Sequence, residues 1–133
     1  MKLALVTGCA GFIASHLVQR LLLNNWNVIG LDNFHPYYDK ELKLKNLANF
    51  KDHKNFEFVE GSILDLDLLK TFSNVDTVFH LAAIAGVRNS FNNPHEYFDI
   101  NVKGTENILK TFQNINEFIF ASSSSVYGEL KQN

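Results

Sequence analysis

The sequence predicts a parallel α/β fold, five strands in the order 3-2-1-4-5 with helices wound over both faces of the sheet. Three observations carry that expectation. Short apolar runs alternate with longer amphipathic segments along the whole chain, without a repeat, linker or low-complexity stretch. Such alternation builds parallel sheets, because each crossover helix returns the chain to the same end of the sheet. The first run, Leu3 to Val6, leads directly into a glycine turn, Thr7-Gly8-Cys9-Ala10-Gly11, and then into a helical segment. Finally, Gly8, Asp32, Ala82 and the serine run from Ser122 all fall where strands end. Folds of this kind bind ligands over the carboxyl ends of their strands, at the point where the strand order reverses.

The elements follow in chain order. Leu3 to Val6 is apolar throughout, as a parallel strand covered on both faces should be. Residues 12 to 24 place Ile13, Leu17, Val18, Leu21 and Leu22 on one side of a helix that stops near Asn24-Asn25. Between these two elements, Gly8 and Gly11 let the backbone turn tightly and approach a pyrophosphate, and Ala10, Phe12 and Ile13 share the loop. The free N–H groups and positive dipole end of the helix attract the phosphate charge. Ala14 sits where strand and helix pack closely, and it is small enough to allow it. Trp26 to Leu31 is the second strand. It ends in Asp32, about 20 residues beyond Gly11, the spacing at which a carboxylate accepts the hydroxyls of an adenosine ribose. That carboxylate favours NAD over NADP, since it repels a 2′-phosphate and no arginine stands at Gly30, Leu31, Asn33 or Phe34 to offset it.

Asn33 to Asp39 is an aromatic loop, and Leu42, Leu44, Leu47 and Phe50 lie among lysines as a helix. His35 and His53 are expected to be exposed, neither having a second ligand at metal-site spacing. Phe56 to Val59 alternates as a third strand, Gly61-Ser62-Ile63 ends it, and Asp65 to Phe72 forms a short helix. Thr77 to Ala83 is a fourth strand running through Leu81 into the small residues Ala82 and Ala83, a place where backbone can approach a cofactor. Pro94 opens a long helical stretch through Asn101 to Phe112, and Phe118 to Ala121 is the fifth strand, followed by Ser122 to Ser125.

At 133 residues with 46% apolar side chains the chain suffices for one domain with a real core. A formal net charge of -2 with interspersed signs provides no basic field for nucleic acid, so an anionic ligand must be held locally. Met1 to Cys9 loosely imitates a lipoprotein signal, but its apolar core is too short for one. No apolar run approaches the length of a membrane span, and the one cysteine cannot form an internal disulfide. A reducing cytoplasm is the expected location. Cys9 reads either as a filler of the glycine turn or as a reactive thiol at a helix N-terminus.

Taken together, these motifs resemble the extended short-chain dehydrogenase/reductase family, with its Rossmann-like fold and its NAD-dependent nucleotide-sugar epimerases and dehydratases. The family's T-G-x-x-G-F-I-G corresponds to Thr7 to Ala14, and its acidic ribose residue to Asp32. Its H-x-A-A is matched by His80 to Ala83, its N-x-x-G-T by Asn101 to Thr105, and its S-S-x-x-V-Y-G by Ser122 to Gly128. Asp32-Asn33-Phe34 with Tyr37-Tyr38-Asp39, and Ala85 to Arg88 with Asn93-Pro94-His95, are similar to the UDP-glucuronate 4-epimerase branch. The resemblance implies an NAD site formed by Gly8, Ala10, Gly11, Phe12, Ile13, Asp32, Asn33, Ser62, Ile63, Leu81, Ala82, Ala83 and Asn101. It implies that Ser123 bonds the C4 oxygen of a UDP-sugar while hydride leaves and returns at C4, and that Ser124 and Ser125 line the sugar site. Arg88 would meet sugar or cofactor oxygens, or lie in solvent. No metal is implied.

Three departures from the family pattern stand out. Ala14 replaces a glycine, Ser62 takes the place of an aspartate that meets the adenine amino group, and Ile84 replaces a glutamine. The catalytic Y-x-x-x-K is expected on a helix roughly 25 residues beyond Ser123 by analogy with the family, past Asn133. Tyr127 to Lys131 satisfies that pattern formally, but Tyr127 belongs to the turn after strand 5, and Gly128 disfavours a helix there. Residues 1–133 are therefore read as an incomplete NAD-binding portion of a larger nucleotide-sugar 4-epimerase, inactive alone. The alternatives are a non-catalytic dinucleotide sensor, or a dehydratase or reductase of the same family, against which Ser124 and Ser125 argue because acidic residues are usual there. A homo-oligomer, or self-association through an uncovered edge at strand 5, is expected as well.

Overall fold

The computed structural model describes residues 2–72 and 74–129. At its centre lies β1 (Leu3–Thr7), paired in parallel with β2 (Asn27–Asp32) on one side and β4 (Thr77–His80) on the other. β3 (Phe56–Glu60) and β5 (Glu117–Phe120) extend the sheet outward, giving the order 3-2-1-4-5 with every pair parallel. The apolar run at Leu3 to Val6 follows from this position, since successive side chains of a strand leave opposite faces. Ala4 and Val6 enter one core with Val18, Leu22 and Leu47, whereas Leu5 enters the other with Leu69, Val78 and Ile108.

α1 (Phe12–Leu23) and α2 (Lys40–Ala48) contribute to the first core, and α3 (Leu66–Lys70) and α6 (Gly104–Thr111) to the second. α1 ends at Asn24 and Asn25, the latter in the left-handed region at φ 59°. α2 and α3 start on Asp39 and Asp65, whose carboxylates accept N–H bonds from their first turns.

Two segments differ from the sequence expectation. After Gly86, at φ 96°, a short helix α4 (Val87–Asn92) precedes the one that Pro94 opens. The long helix that follows is not uniform: α5 (Pro94–Phe98) passes through a π-helical segment, Asp99–Lys103, into α6. Such insertions are rare and collect at functional sites, because the extra residue re-aims side chains. Here Asn101 lies inside it.

Candidate functional site

The cleft lies over the carboxyl ends of β1 and β4, where the strand order reverses. Its cavity has a volume of about 660 Å³, within the range of small-molecule and cofactor sites. The glycine turn forms its floor. The Gly8 N–H donates to Leu31 O at 2.7 Å and the Gly11 N–H to Gly8 O at 2.9 Å. Gly8 is at φ 71°, and a Cβ there would meet Ala82 Cα and N at 3.0 Å. β1 and β4 can approach this closely only because position 8 has no side chain. α1 then begins at Phe12, with Gly11 before it offering no side-chain cap, so the N–H groups of its first turn are free for an anion.

Asp32, only 6% exposed, ties this floor to the wall formed by β2. Its Oδ2 accepts the Ala10 N–H at 3.1 Å, and its Oδ1 accepts the Phe34 N–H at 2.8 Å and Lys43 Nζ at 3.3 Å. Asn46, one turn further along α2, donates to Ala10 O at 2.9 Å. Lys43 and Asn46 were not marked by the sequence. Their separation of three residues puts both on the face of α2 that meets the glycine turn, a signal that was present but carried no chemistry until the turn was in place.

On the β4 side a polar chain fixes the wall. The Thr7 hydroxyl accepts the N–H groups of Leu81 and Ala82, both at 3.1 Å, and lies 2.7 Å from His80 Nδ1. His80 Nε2 is 2.9 Å from the Thr105 hydroxyl, which donates to Asn101 O at 2.7 Å. Burial lowers the His80 pKa to about 4, so the ring is neutral. Asn101 grips the β4 loop from both directions, accepting the Ile84 N–H at 2.8 Å and donating to Ile84 O at 2.9 Å. Gly104 leaves room for Ile63, whose Cδ1 would stand 2.4 Å from a Cβ there. Each fixed residue of Asn101-x-x-Gly104-Thr105 thus has a structural task in holding the ends of β3 and β4.

Of the residues expected at a nucleotide, Gly8, Ala10, Gly11, Phe12, Ile13, Asp32, Asn33, Ser62, Ile63, Leu81, Ala82 and Ala83 line this one cavity. Asn101 does not line it, because its amide is engaged with the Ile84 backbone, and it shapes the wall from behind. The Ser62 hydroxyl accepts the Leu64 N–H at 3.1 Å and keeps its own hydrogen to donate. Ile84, at the place of a polar family residue, is 5% exposed and adds apolar wall.

The residues expected at a sugar are not gathered there. Arg88 stands exposed on α4 rather than in a loop, away from the cavity lining. Ser123 caps a 3₁₀ turn, Ser124–Tyr127, accepting the Ser125 N–H at 3.2 Å, and Ser123, Ser124 and Ser125 are exposed beyond Ala121 and Ser122, which do line the cavity. Tyr127 ends that turn and Gly128, at φ 67°, takes the chain out of helical conformation. Lys131 lies outside the described residues. His35 is half-buried rather than exposed, because Glu96 holds its Nε2 at 3.0 Å, whereas His53 is exposed. Burial pushes the Cys9 thiol well up, and the thiol is wholly enclosed, so the filler reading of Cys9 stands over the reactive one. Among the described residues there is no cluster of three metal-ligating side chains, and no helix is long and apolar enough to cross a membrane.

A doubly wound parallel sheet with a glycine turn, an uncapped helix start and a carboxylate at the second strand end defines a Rossmann-like nucleotide-binding fold. Within that class the chain belongs to the NAD dependent epimerase/dehydratase family, whose model matches residues 4–133. It is 46% identical over 129 residues to an uncharacterized UDP-glucose epimerase, YtcB, of Bacillus subtilis, covering 94% of this chain and 41% of that protein. It is 42% identical over 130 residues to UDP-glucuronate 4-epimerase 4 of Arabidopsis thaliana, covering 93% of this chain and 30% of that one. Among solved structures, UDP-glucuronic acid 4-epimerase from Bacillus cereus, in complex with UDP-glucuronic acid and NAD, superposes with a TM-score of 0.90 at 40% identity, over 98% of this chain and 43% of that chain. The dTDP-glucose 4,6-dehydratase DesIV from Streptomyces venezuelae follows at 0.86 and 31% identity, over 98% and 42%. The chain therefore spans well under half the length of these relatives.

Proposed function

We propose that this chain is the cofactor-holding portion of an NAD-dependent nucleotide-sugar 4-epimerase acting on UDP-glucuronate and UDP-galacturonate, or on the UDP-glucose and UDP-galactose pair. The observation that carries the reading is the convergence of Gly8, the open first turn of α1 and Asp32 on one cavity. That set fits a dinucleotide: N–H donors for the pyrophosphate, a carboxylate for the ribose, and the small residues Ala82 and Ala83 where the cofactor crosses β4. Bound there, NAD supplies a reversible hydride acceptor for C4 of the sugar.

The chain's own residues divide the remaining work. Gly8, Ala10, Gly11, Phe12 and Ile13 receive the phosphates, and Asp32 with Asn33 holds the adenosine ribose. Ser62 and Ile63 flank the adenine, and Leu81, Ala82 and Ala83 support the cofactor, with Asn101 holding their loop. Ser123 donates a hydrogen bond to the C4 oxygen, Ser124 and Ser125 contact the sugar, and Arg88 meets its anionic groups. Such an enzyme works in the cytoplasm, and the free thiol of Cys9 fits a reducing compartment.

A second reading is a module that binds a dinucleotide without turning over a sugar. Calorimetry with NAD+ and an assay for UDP-galacturonate formed from UDP-glucuronate test both. Binding without turnover by residues 1–133, and turnover by a longer chain carrying a downstream Y-x-x-x-K, is the expected result. Turnover by residues 1–133 alone would overthrow the division of labour, and absence of NAD+ binding would remove the reading altogether.

A further inference from the structure

We propose that Lys43 is a determinant of nucleotide choice: its ammonium steadies Asp32 and weakens the penalty that Asp32 imposes on a ribose 2′-phosphate. Preference for NAD over NADP then belongs to the Asp32–Lys43 pair rather than to Asp32 alone. The inference rests on the dinucleotide reading of the cavity and adds a residue that the glycine turn and the acidic strand end do not include.

Both members of the pair are buried, with side-chain exposures of 11% for Lys43 and 4% for Asp32, at an Nζ to Oδ1 distance of 3.3 Å. A lysine is rarely buried unless paired, and this one comes from a helix whose neighbouring leucines, Leu42 and Leu44, are 54% and 46% exposed. Among the described residues that line the cavity, Asp32 is the only carboxylate and Lys43 the only ammonium or guanidinium. An isolated carboxylate would repel a phosphate placed beside the ribose, whereas an ion pair this close presents a much weaker field to it.

The hydrogen-bond inventory agrees. A carboxylate has about four acceptor sites, and Asp32 uses three of them, for the Ala10 and Phe34 N–H groups and for Lys43. One site remains for a ribose hydroxyl. An ammonium has three donors, and Asp32 is the only hydrogen-bond partner of Lys43 among the described residues, so Lys43 has donors to offer a second ribose oxygen or a phosphate. His35, the other basic side chain in the cavity wall, is not available for that task. Its Nδ1 accepts the Tyr37 N–H and its Nε2 faces Glu96.

The test measures NAD+ and NADP+ affinities by calorimetry for the wild-type chain and for Lys43→Met, Asp32→Asn and the double variant, each first shown to be folded by circular dichroism. Lys43→Met should widen the preference for NAD+ by roughly tenfold, the worth of one charge-assisted hydrogen bond. Asp32→Asn should shift the preference toward NADP+, and adding Lys43→Met to it should reduce that shift. Lys43→Gln replaces Lys43→Met if the latter does not fold. An unchanged ratio in the single lysine variant, or the same ratio in Asp32→Asn with and without Lys43, would overturn the proposal while leaving the dinucleotide reading intact. Failure of the wild-type chain to bind either nucleotide would remove both.

Discussion

The Thr7 hydroxyl and His80 Nδ1 lie 2.7 Å apart in the interior, and this contact determines the protonation of both. Thr7 Oγ1 already accepts two N–H groups, from Leu81 and Ala82, so its own hydrogen is directed to Nδ1. His80 therefore carries its proton on Nε2 and donates it to Thr105, whose hydroxyl passes its hydrogen to Asn101 O. The chain joins β1, β4 and the π-helical segment in one direction of donation, and nothing in it is left to accept a further proton.

Stability should accordingly fall in mild acid. His80 in the folded state has a pKa lowered from 6.5 to about 4 by burial, so the unfolded chain takes up a proton first. The contribution is fully present above the unfolded value near 6.5, declines as the pH falls from there towards 4, and levels off below that. A shift of this size corresponds to roughly 3 kcal/mol at most. Urea denaturation between pH 8 and pH 4.5 should show this loss in the wild type and a smaller slope in His80→Gln. Parallel curves would take His80 out of the acid response.

Two glycines at positive φ should respond very differently to alanine. Gly8 and Gly128 both have positive φ, 71° and 67°, and at Gly128 ψ is -161°, a backbone conformation nearly confined to glycine, where a Cβ costs of the order of 1 to 3 kcal/mol. At Gly128 nothing lies within 4 Å of the added carbon, so the cost ends there. At Gly8 the carbon meets the Ala82 backbone at 3.0 Å, and backbone cannot rotate away as a side chain can. Gly8→Ala should abolish NAD+ binding in calorimetry and lower the melting temperature, while Gly128→Ala should bind as the wild type does. Equal behaviour of the two would mean that the close approach of β1 and β4 is not needed.

The sheet was legible because its strands are buried on both faces and so read as apolar runs, and the nucleotide cleft was legible because Gly8 and Asp32 fall at strand ends with a diagnostic spacing. Lys43 was not. A lysine among leucines on a short helix reads as solvent-facing, and only the position of Asp32 in space reverses the assignment, burying Lys43 and exposing Leu42 and Leu44. The π-helical segment leaves no period in the sequence, since one inserted residue changes the hydrogen bonding without changing which residues are apolar. Asn101 reads as a motif residue, but its bonds to the Ile84 backbone depend on how the β4 loop folds back, which no spacing in the sequence encodes.

Cys9 should resist alkylation until the chain unfolds. Its side chain is wholly buried beneath the glycine turn, close to Gly30, where a Cβ would stand 2.7 Å from Cys9 Sγ. Burial, reinforced by the nearby Asp32 carboxylate, pushes the thiol pKa well up, and the thiol form is a poor nucleophile. Mass spectrometry after iodoacetamide treatment at pH 8 should find no adduct on the folded chain and complete reaction in urea. Rapid labelling of the folded chain would restore a reactive role for Cys9.

Prepared alone, residues 1–133 should self-associate through the edge of the sheet at β5. β5 pairs with β4, and no described strand covers its other side, so its outer N–H and C=O groups are open to another strand. The residues there do not discourage pairing: Ile119 and Phe120 are 41% and 52% exposed, and neither lysine nor proline, the usual guards of an edge, occurs from Glu117 to Phe120. Phe120 also stacks on the His80 ring at 5.8 Å, so changing it would disturb the buried chain from Thr7 to Thr105. Ile119 is the better probe. Light scattering at rising concentration should give a mass above that of the monomer for the wild type and a mass closer to the monomer for Ile119→Lys, with the same circular dichroism spectrum. A wild-type chain that stays monomeric at high concentration would show that exposed apolar edge area of this size is insufficient for pairing.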